Sequence, residues 1–176
     1  NGIEYDSIHM YNDTNFGGGM PEPKPQYMGE MIDYIKSHNG YVGFANDGDS
    51  DRFGVVNENG EYVTPNEIIA ILLMHLKKHK NYSGCLVKTV GASLMLNIVA
   101  EKLGVDVVET PVGFKHVGAA MREYNPIIAG EESGGLSIQG HIPEKDRILD
   151  NLLVLEAMAY ENKTLVQLQY ELEKFV

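Results

Sequence analysis

From Thr64 onward the chain alternates short, apolar, β-prone stretches with segments that carry apolar residues at helical spacing. The predicted strands cover residues 84–89, 105–109 and 127–129, and the predicted helices cover 65–78, 93–103, 115–124 and two segments near the C-terminus. Strands that alternate with helices of this length indicate βαβ units, in which parallel strands are covered by helices. The sequence therefore predicts an α/β fold with a mixed, largely parallel sheet.

The residues before Thr64 are predicted to form a second, incomplete α/β unit. Its predicted elements are a strand over 4–11, an irregular Gly- and Pro-rich segment over 15–25, a helix over 26–38, and strands over 41–45 and 53–56. Asn59-Gly60 is a strong turn signal and predicts a hairpin between residues 55–56 and 62–63. We therefore predict two consecutive units, over residues 1–62 and 63–176.

An acidic stretch, N-D-G-D-S-D-R-F-G, occupies residues 46–54 between two of these strands. Asp47, Asp49 and Asp51 stand at alternate positions, so their carboxylates can converge while the intervening residues point away. Converging carboxylates repel one another and favour a hard cation that takes oxygen ligands, Mg²⁺ or Ca²⁺. We predict a metal-binding loop at the carboxyl end of a strand, where open α/β sheets usually bind ligands.

Three other interpretations compete for this stretch. A solvated acidic turn is the usual explanation of a lone D-x-D, but it does not account for D-G-D-S-D-R between two apolar strands. An EF-hand requires glycine at the sixth position, where Arg52 stands, and helices rather than strands on either side. A haloacid-dehalogenase-type phosphatase would use Asp47 as nucleophile, but its D-x-D-x-T/V signature has Thr or Val where this chain has Asp51.

Further polar groups follow the predicted strands of the second unit. Lys88 closes one strand, T-P-V-G-F-K at 110–115 contains Gly113 and Lys115, and A-G-E-E-S-G-G at 129–135 contains Glu131 and Ser133. G-H-I-P-E-K-D at 140–146 adds Lys145. Carboxylates accept hydrogen bonds from sugar hydroxyls, and lysines act as point charges on phosphate. These segments suit a sugar phosphate, although each alone could be a capped turn with a surface lysine.

The composition of the chain limits the classes of partner that it can bind. The formal charge of -11 over 176 residues argues against nucleic acid and against an anionic membrane. The single cysteine, Cys85, excludes an internal disulfide, and we expect a cytoplasmic protein. His75 and His79 lie one helical turn apart, but we interpret them as a solvated basic end of a helix rather than as metal ligands.

Together these motifs resemble the α-D-phosphohexomutases, the phosphoglucomutase/phosphomannomutase superfamily. D-G-D-S-D-R, then G-E-E-S-G-G, then H-I-P-E-K-D occur in the order found from the second into the third of that family's four domains. The G-E-E-S-G-G form is closer to the phosphoglucomutase branch than to the phosphoglucosamine mutase branch, which usually has E-Q-S-G-H. The resemblance covers nearly the whole chain and implies the α/β domain type of that family.

The resemblance also implies roles for the residues that match its motifs. Asp47, Asp49 and Asp51 would bind Mg²⁺ together with a phosphoserine, with Arg52 beside them. Glu131 and Ser133 would bind sugar hydroxyls. Contacts to the substrate or to a hexose 1,6-bisphosphate intermediate are expected from the other matching residues, Lys88, Gly113, Lys115 and Lys145, of which Lys145, like Arg52, is expected to act in catalysis.

Some parts of the family pattern do not occur in this sequence. The phosphoserine loop resembles T-A-S-H-N-P, whereas Ser37-His38-Asn39 falls at a predicted helix end and is not the nucleophile. An Arg-, Ser-, Gly- and Thr-rich phosphate-binding loop is also not found. We therefore expect a fragment that depends on other domains of the same polypeptide and is inactive alone. The alternatives are a non-catalytic metal- and sugar-phosphate-binding module and the phosphatase described above.

Overall fold

Two sheets of different kinds organise residues 3–176, the part of the chain that the computed structural model describes. The first sheet is antiparallel, in the order β1-β2-β3, and consists of β1 (Gly43–Asn46), β2 (Phe53–Val56) and β3 (Tyr62–Val63). Helix α1 (Gly29–Ser37) packs against this sheet and ends beside His38, so the predicted helix end at this point is confirmed. The predicted hairpin at Asn59-Gly60 is confirmed as well.

The predicted strand over 4–11 is wrong, because residues 3–11 have no regular secondary structure. A strand needs a partner for its backbone groups and a surface on which to bury its apolar side chains. Tyr5 and Met10 are instead 82% and 81% exposed. The alternation of apolar and polar residues in this segment is therefore not used for packing within the described residues.

The second sheet has the order β5-β4-β6-β7 and consists of β4 (Leu86–Thr89), β5 (Val107–Thr110), β6 (Ile128–Gly130) and β7 (Leu136–Ile138). The pairs β4–β5 and β4–β6 are parallel, and β7 is antiparallel to β6. The associated helices are α2 (Pro65–His79), α3 (Met95–Lys102), α4 (Phe114–Tyr124), α5 (Arg147–Glu161) and α6 (Leu165–Phe175). The predicted α/β class with a mixed, largely parallel sheet is confirmed for this unit.

Helix α2 begins where its capping signals predict. The Thr64 hydroxyl accepts from the Glu67 amide at 3.3 Å, and the Glu67 carboxylate accepts from the Thr64 amide at 2.8 Å. Two of the amides left unpaired at a helix start are thereby satisfied. Thr164 and Gln167 make the same reciprocal pair at the start of α6.

One hydrophobic core joins the two units. Phe53, Val55 and Val63 of the first sheet are 0–2% exposed and belong to the same cluster as the buried faces of α2, α5 and α6. The tip of the β2–β3 hairpin strengthens this junction, because the Glu58 carboxylate accepts from the amides of Leu165 and Val166 at 2.8 and 3.1 Å. A carboxylate at a helix N-terminus is favoured by the helix dipole. The first unit therefore caps a helix of the second.

The prediction that His75 and His79 form a solvated end of a helix is wrong. His75 is 3% exposed, and its Nε2 lies 3.1 Å from the Glu156 carboxylate. His79 is also partly covered and lies 2.6 Å from Glu161. The C-terminal end of α2 packs against α5, which the sequence of α2 alone does not reveal. None of the helices described in residues 3–176 combines the length and the hydropathy needed to cross a membrane.

Candidate functional site: an acidic loop facing a sheet edge

The acidic loop, residues 47–52, connects β1 to β2 and is closed like a hairpin. The Asp47 amide donates to the Arg52 carbonyl at 3.2 Å, and the Ser50 amide donates to the Asp47 carbonyl at 3.2 Å. At the apex Ser50 has a φ of 56°, in the left-handed region that a side chain disfavours. This turn brings one carboxylate oxygen each of Asp47, Asp49 and Asp51 within 4.8 Å of one another.

Asp47 fixes the shape of the loop. Its Oδ1 accepts from the amides of Asp51 and Arg52 at 2.8 and 2.9 Å, and its Oδ2 accepts from Arg52 Nε at 2.8 Å. Burial would raise the pKa of Asp47, but these hydrogen bonds hold it below its usual value. Asp49 is exposed and Asp51 is half-buried, so two of the three carboxylates face outward.

The three oxygens fit a hard divalent cation. Mg²⁺ binds oxygen at about 2.1 Å and Ca²⁺ at about 2.4 Å, so oxygens of one ion lie about 3–5 Å apart. The spacing in this loop falls near that range. All three donors are carboxylates, which Mg²⁺ and Ca²⁺ prefer, and no softer sulfur or imidazole ligand accompanies them in the cluster among the described residues.

Arg52 links the loop to the irregular N-terminal segment. Its Nε donates to Asp47 and its Nη1 donates to Glu22 Oε1 at 3.0 Å, and the carboxylates of Asp47 and Glu22 raise the pKa of its guanidinium. The Gly48 amide also donates to the Pro21 carbonyl at 3.3 Å. The segment predicted to be irregular is therefore part of the wall of the loop. No sequence signal pointed to Glu22.

The second sheet presents its carboxyl edge to this loop. Strands β4, β5 and β6 run in parallel, so the segments that follow Thr89, Thr110 and Gly130 emerge at the same edge. Gly134, in the segment after β6, has a φ of 98°, and a Cβ there would lie 3.2 Å from the Phe53 carbonyl. Its lack of a side chain lets the segment at 131–135 approach β2, which follows the acidic loop directly.

Lys145 joins the two loops. Its Nζ lies 3.0 Å from Asp51 Oδ2 and 3.5 Å from Glu131 Oε2, although the lysine and Asp51 are 94 positions apart. The side chain is 15% exposed and its ammonium lies 5.5 Å from the centre of the Phe114 ring. One lysine thus connects a predicted metal ligand to a predicted sugar ligand.

The predicted sugar ligands lie together. Glu131 is 3% exposed, and its Oε1 accepts from the Gly113 amide at 3.0 Å. Ser133 is exposed, with its hydroxyl 3.5 Å from Glu131 Oε2. Lys115 is exposed in the first turn of α4, directly after Phe114, and makes no ion pair with residues 3–176. The Gly113 amide therefore orients the Glu131 carboxylate, while the side chains of Ser133 and Lys115 are open to solvent.

Lys88 lies near the carboxyl end of β4, but it is the predicted contact whose ammonium is buried and already paired. It is 1% exposed, and its Nζ lies 2.9 Å from Glu109 Oε1 and 3.4 Å from the Ala92 carbonyl. Side chains alternate along β4, so Lys88 shares a face with Leu86, under α2 and α3. Its ammonium is paired there with Glu109, whose pKa it lowers.

Two further residues were missed by sequence reasoning. Arg147, directly after the Lys145-Asp146 pair, is 1% exposed and donates from Nη2 to the Ser50 carbonyl at the apex of the acidic loop. Glu132, which distinguishes G-E-E-S-G-G, accepts from the Thr89 hydroxyl at 2.5 Å. Arginine at the first position of a helix, immediately after the N-cap Asp146, is a signal that could have drawn attention to Arg147.

The geometry bears on the alternatives to a metal loop. Asp47 is 6% exposed, its Oδ1 accepts two amides, and its Oδ2 keeps one lone pair beside the bond from Arg52 Nε, which suits a fixed metal ligand better than a nucleophile that must reach a substrate. Strands flank the loop on both sides, which is incompatible with an EF-hand.

Two family models match nearly all of the chain. The description "Phosphoglucomutase/phosphomannomutase, alpha/beta/alpha domain II" matches residues 2–60, and "alpha/beta/alpha domain III" of the same family matches residues 64–175. The chain belongs to the phosphoglucomutase/phosphomannomutase family. The resemblance given by its motifs is thereby confirmed, and the acidic loop and the carboxyl edge are those of a phosphohexomutase-family chain.

Relatives within the family carry different substrate names. A probable phosphoglucosamine mutase of Methanosphaera stadtmanae is 31% identical over 95% of this chain. A phosphoglucomutase/phosphomannomutase of Thermococcus kodakarensis is 29% identical over 99% of it. The solved structure of a putative phosphomannomutase from Thermus thermophilus superposes with a TM-score of 0.86, at 34% identity over 90% of this chain.

The chain spans 36% and 38% of the lengths of those two relatives and 36% of the solved chain. These proteins are named as mutases, so the family is enzymatic.

Proposed function

We propose that this chain supplies the metal-binding and sugar-recognition parts of a Mg²⁺-dependent phosphohexomutase. Such an enzyme interconverts hexose 1-phosphate and hexose 6-phosphate through a phosphoserine and a hexose 1,6-bisphosphate. The observation that carries the proposal is Lys145, whose ammonium lies 3.0 Å from Asp51 and 3.5 Å from Glu131. A phosphoryl group placed between the two loops would meet this cation and, in the same place, a bound metal.

The residues have complementary tasks in this proposal. Asp47, Asp49 and Asp51 would hold Mg²⁺, which supplies charge stabilisation to a phosphoryl group in transfer. Glu131, held by the Gly113 amide, accepts hydrogen bonds from sugar hydroxyls and fixes which end of the sugar faces the metal loop. Arg52 and Lys145 place positive charge at the loop, where phosphoryl transfer develops negative charge.

Two exposed residues complete the substrate contacts that we propose. Ser133 adds a hydroxyl beside Glu131, and Lys115 offers an unpaired ammonium to phosphate at the open side of the edge. Lys88 is the weakest member of the predicted set, because Glu109 already occupies its ammonium. We assign it a structural role under the sheet edge.

Glucose phosphate is the proposed substrate, with mannose phosphate as an alternative in the same class. Glucosamine phosphate is the second candidate, because a relative 31% identical over 95% of the chain is a probable phosphoglucosamine mutase. The form G-E-E-S-G-G, which favours glucose, differs from E-Q-S-G-H at Glu132 and Gly135, and Glu132 bonds to the Thr89 hydroxyl. The difference between E-E and E-Q at this position therefore supports glucose only weakly.

The proposed mutase also needs a phosphoserine loop and a phosphate-binding loop from other domains of the same polypeptide. We accordingly propose that residues 1–176 bind metal and sugar phosphate but do not turn substrate over alone, and that the enzyme is cytoplasmic. A non-catalytic module would also bind metal and sugar phosphate, but then the full-length polypeptide would not turn substrate over either.

The test is ³¹P NMR on the full-length polypeptide with Mg²⁺, a trace of glucose 1,6-bisphosphate, and glucose, mannose or glucosamine 1-phosphate in turn. Growth of a 6-phosphate signal without inorganic phosphate is the expected result, fastest for glucose. Release of inorganic phosphate would support a phosphatase instead. The absence of any product with all three sugars, while Mg²⁺ and sugar phosphate still bind, would support the binding module.

A further inference from the structure

We propose that Arg147 is a positioning residue: it is the contact by which the second unit holds the acidic loop in its metal-binding conformation. The inference rests on the proposed function of that loop as a Mg²⁺ site. It concerns a side chain that lies outside the loop and outside the predicted set of ligands.

The contact falls at the least favourable point of the loop backbone. Ser50, between Asp49 and Asp51, has a φ of 56°, a conformation that favours glycine. Arg147 Nη2 donates to the carbonyl of this same residue. Fixing the peptide between Ser50 and Asp51 fixes the direction in which the chain enters Asp51, and hence where its carboxylate lies relative to that of Asp49.

Burial shows that the guanidinium is committed to this contact. The Arg147 side chain is 0% exposed, and within residues 3–176 its Nε and Nη1 have no hydrogen-bond partner. Nη1 lies 3.9 Å from Asp47 Oδ1. A buried charge without full compensation is costly, so a residue needed only to fill space would be apolar.

Arg147 could instead serve only to neutralise the aspartates. The two roles predict opposite changes in Mg²⁺ affinity when Arg147 is replaced. Removing a cation beside three carboxylates should strengthen Mg²⁺ binding if the cation only neutralises them. Removing a group that holds the carboxylates in place should weaken Mg²⁺ binding. The direction of the change in Mg²⁺ affinity therefore separates the two roles.

The experiment compares wild type, Arg147→Met, Ser50→Gly and the double variant, with Arg122→Met as the matched control. Methionine keeps much of the buried stem without the charge, and Arg122 is an exposed arginine of α4. Hydrogen exchange is measured without metal at the amides of Asp51 and Arg52, which donate to Asp47, and at the core amides of Val55 and Leu86. Mg²⁺ affinity is measured by calorimetry.

We expect Arg147→Met to speed exchange at Asp51 and Arg52 by about tenfold, with Val55 and Leu86 much less affected. Mg²⁺ affinity should fall by about tenfold, as for other residues that orient metal ligands. Ser50→Gly should restore much of both losses in the double variant, because glycine adopts the left-handed conformation without support. Arg122→Met should match wild type.

Unchanged exchange at Asp51 and Arg52, or tighter Mg²⁺ binding by Arg147→Met, would overturn the inference. A wild-type chain that binds no Mg²⁺ would contradict the proposed function of the loop, and the exchange data would still decide the role of Arg147. If Arg147→Met does not fold, Arg147→Leu replaces it: leucine has neither charge nor donor, so loss of loop protection that Ser50→Gly rescues supports positioning, and full protection opposes it.

Discussion

Two clusters of charged side chains on this chain look alike in composition and differ in how their charges are paired. The first surrounds the acidic loop, with Asp47, Asp51 and Glu131 against Arg52 and Lys145. The second lies where α2 meets α5. There, Glu161 has Lys78, His79 and Lys163 at 2.6–3.4 Å, and Glu156 has Lys80 and His75 at 2.6–3.1 Å.

In the α2–α5 cluster Glu156 and Glu161 each have more than one cationic or imidazole neighbour, so their negative charge is compensated within the cluster. Around the acidic loop Asp47 and Asp51 also have two cationic neighbours each, counting Arg147, but Glu131 has only Lys145. Asp49 is exposed and has no ion pair within residues 3–176, so four carboxylates face three cations. Negative charge is in excess there, and a divalent cation would balance it. The comparison teaches that a carboxylate cluster is a candidate for metal only where the protein leaves its charge uncompensated.

The largest effect is expected from Glu131→Gln in the full-length polypeptide. Losing the charge that accepts from sugar hydroxyls should lower sugar-phosphate turnover by about 10- to 150-fold, the equivalent of about 1.5–3 kcal/mol for a charged hydrogen bond. Mg²⁺ affinity should change little. Glu132→Gln is the matched control, since Glu132 bonds to Thr89 and should affect kcat/KM only slightly. Equal losses in the two variants would remove Glu131 from the site.

Asp49→Asn should weaken Mg²⁺ binding at least about tenfold, which is the lower end of the loss seen for residues that only support metal ligands. Asp49 is exposed, so the melting temperature without metal should stay near that of wild type. Calorimetric titration and thermal unfolding measure the two quantities. Asp33→Asn, at an exposed aspartate of α1, should change neither, and Mg²⁺ binding that survives Asp49→Asn would exclude Asp49 as a ligand.

Glu161→Gln should lower the free energy of unfolding and leave Mg²⁺ affinity unchanged. Hydrogen bonds from Lys78 and His79 lower the pKa of Glu161 to about 2, so its ionised form stabilises the fold at neutral pH. We expect a loss of about 1–2 kcal/mol in the free energy of unfolding at pH 7. In wild type this contribution should fade as the pH falls from about 4.5 towards 2. A change in the Mg²⁺ affinity of Glu161→Gln would contradict the assignment of a purely structural role to the α2–α5 cluster.

Asp150→Asn should alter how stability depends on pH. Burial raises the pKa of Asp150 to about 9, so between its ordinary value of 3.8 and about 9 the folded chain holds a proton that the unfolded chain releases. Wild-type stability should therefore fall as the pH rises through this window. Urea unfolding at pH 5 and pH 8 should show a smaller difference for Asp150→Asn. An equally steep dependence in the variant would mean that other groups cause it.

The parts of the site that a reader could predict from the sequence are local ones. D-G-D-S-D-R carries its ligands within five positions, and Glu131 and Ser133 lie two apart, so spacing alone brings each set together. The helix starts at Thr64 and Thr164 were predictable for the same reason, since each cap involves residues three apart.

The parts that escaped prediction depend on contacts between distant segments. Lys145 reaches Asp51 across 94 positions, and Arg147 reaches Ser50 across 97. Both contacts require the packing of α5 against the first unit, which no periodicity encodes. Lys88 shows the converse: its place at a strand end was predicted correctly, but Glu109 on the neighbouring strand decides where its ammonium lies.

The cap that Glu58 places on α6 has a consequence for making chimeras. The gap between the two matched family regions, residues 61–63, looks like a natural place to recombine genes. A crossover there would separate β3 from β2 and leave the start of α6 facing whatever hairpin the other parent supplies. A swap meant to transfer sugar preference should therefore carry residues 43–63, the whole first sheet, with the second unit, so that the junction is inherited whole.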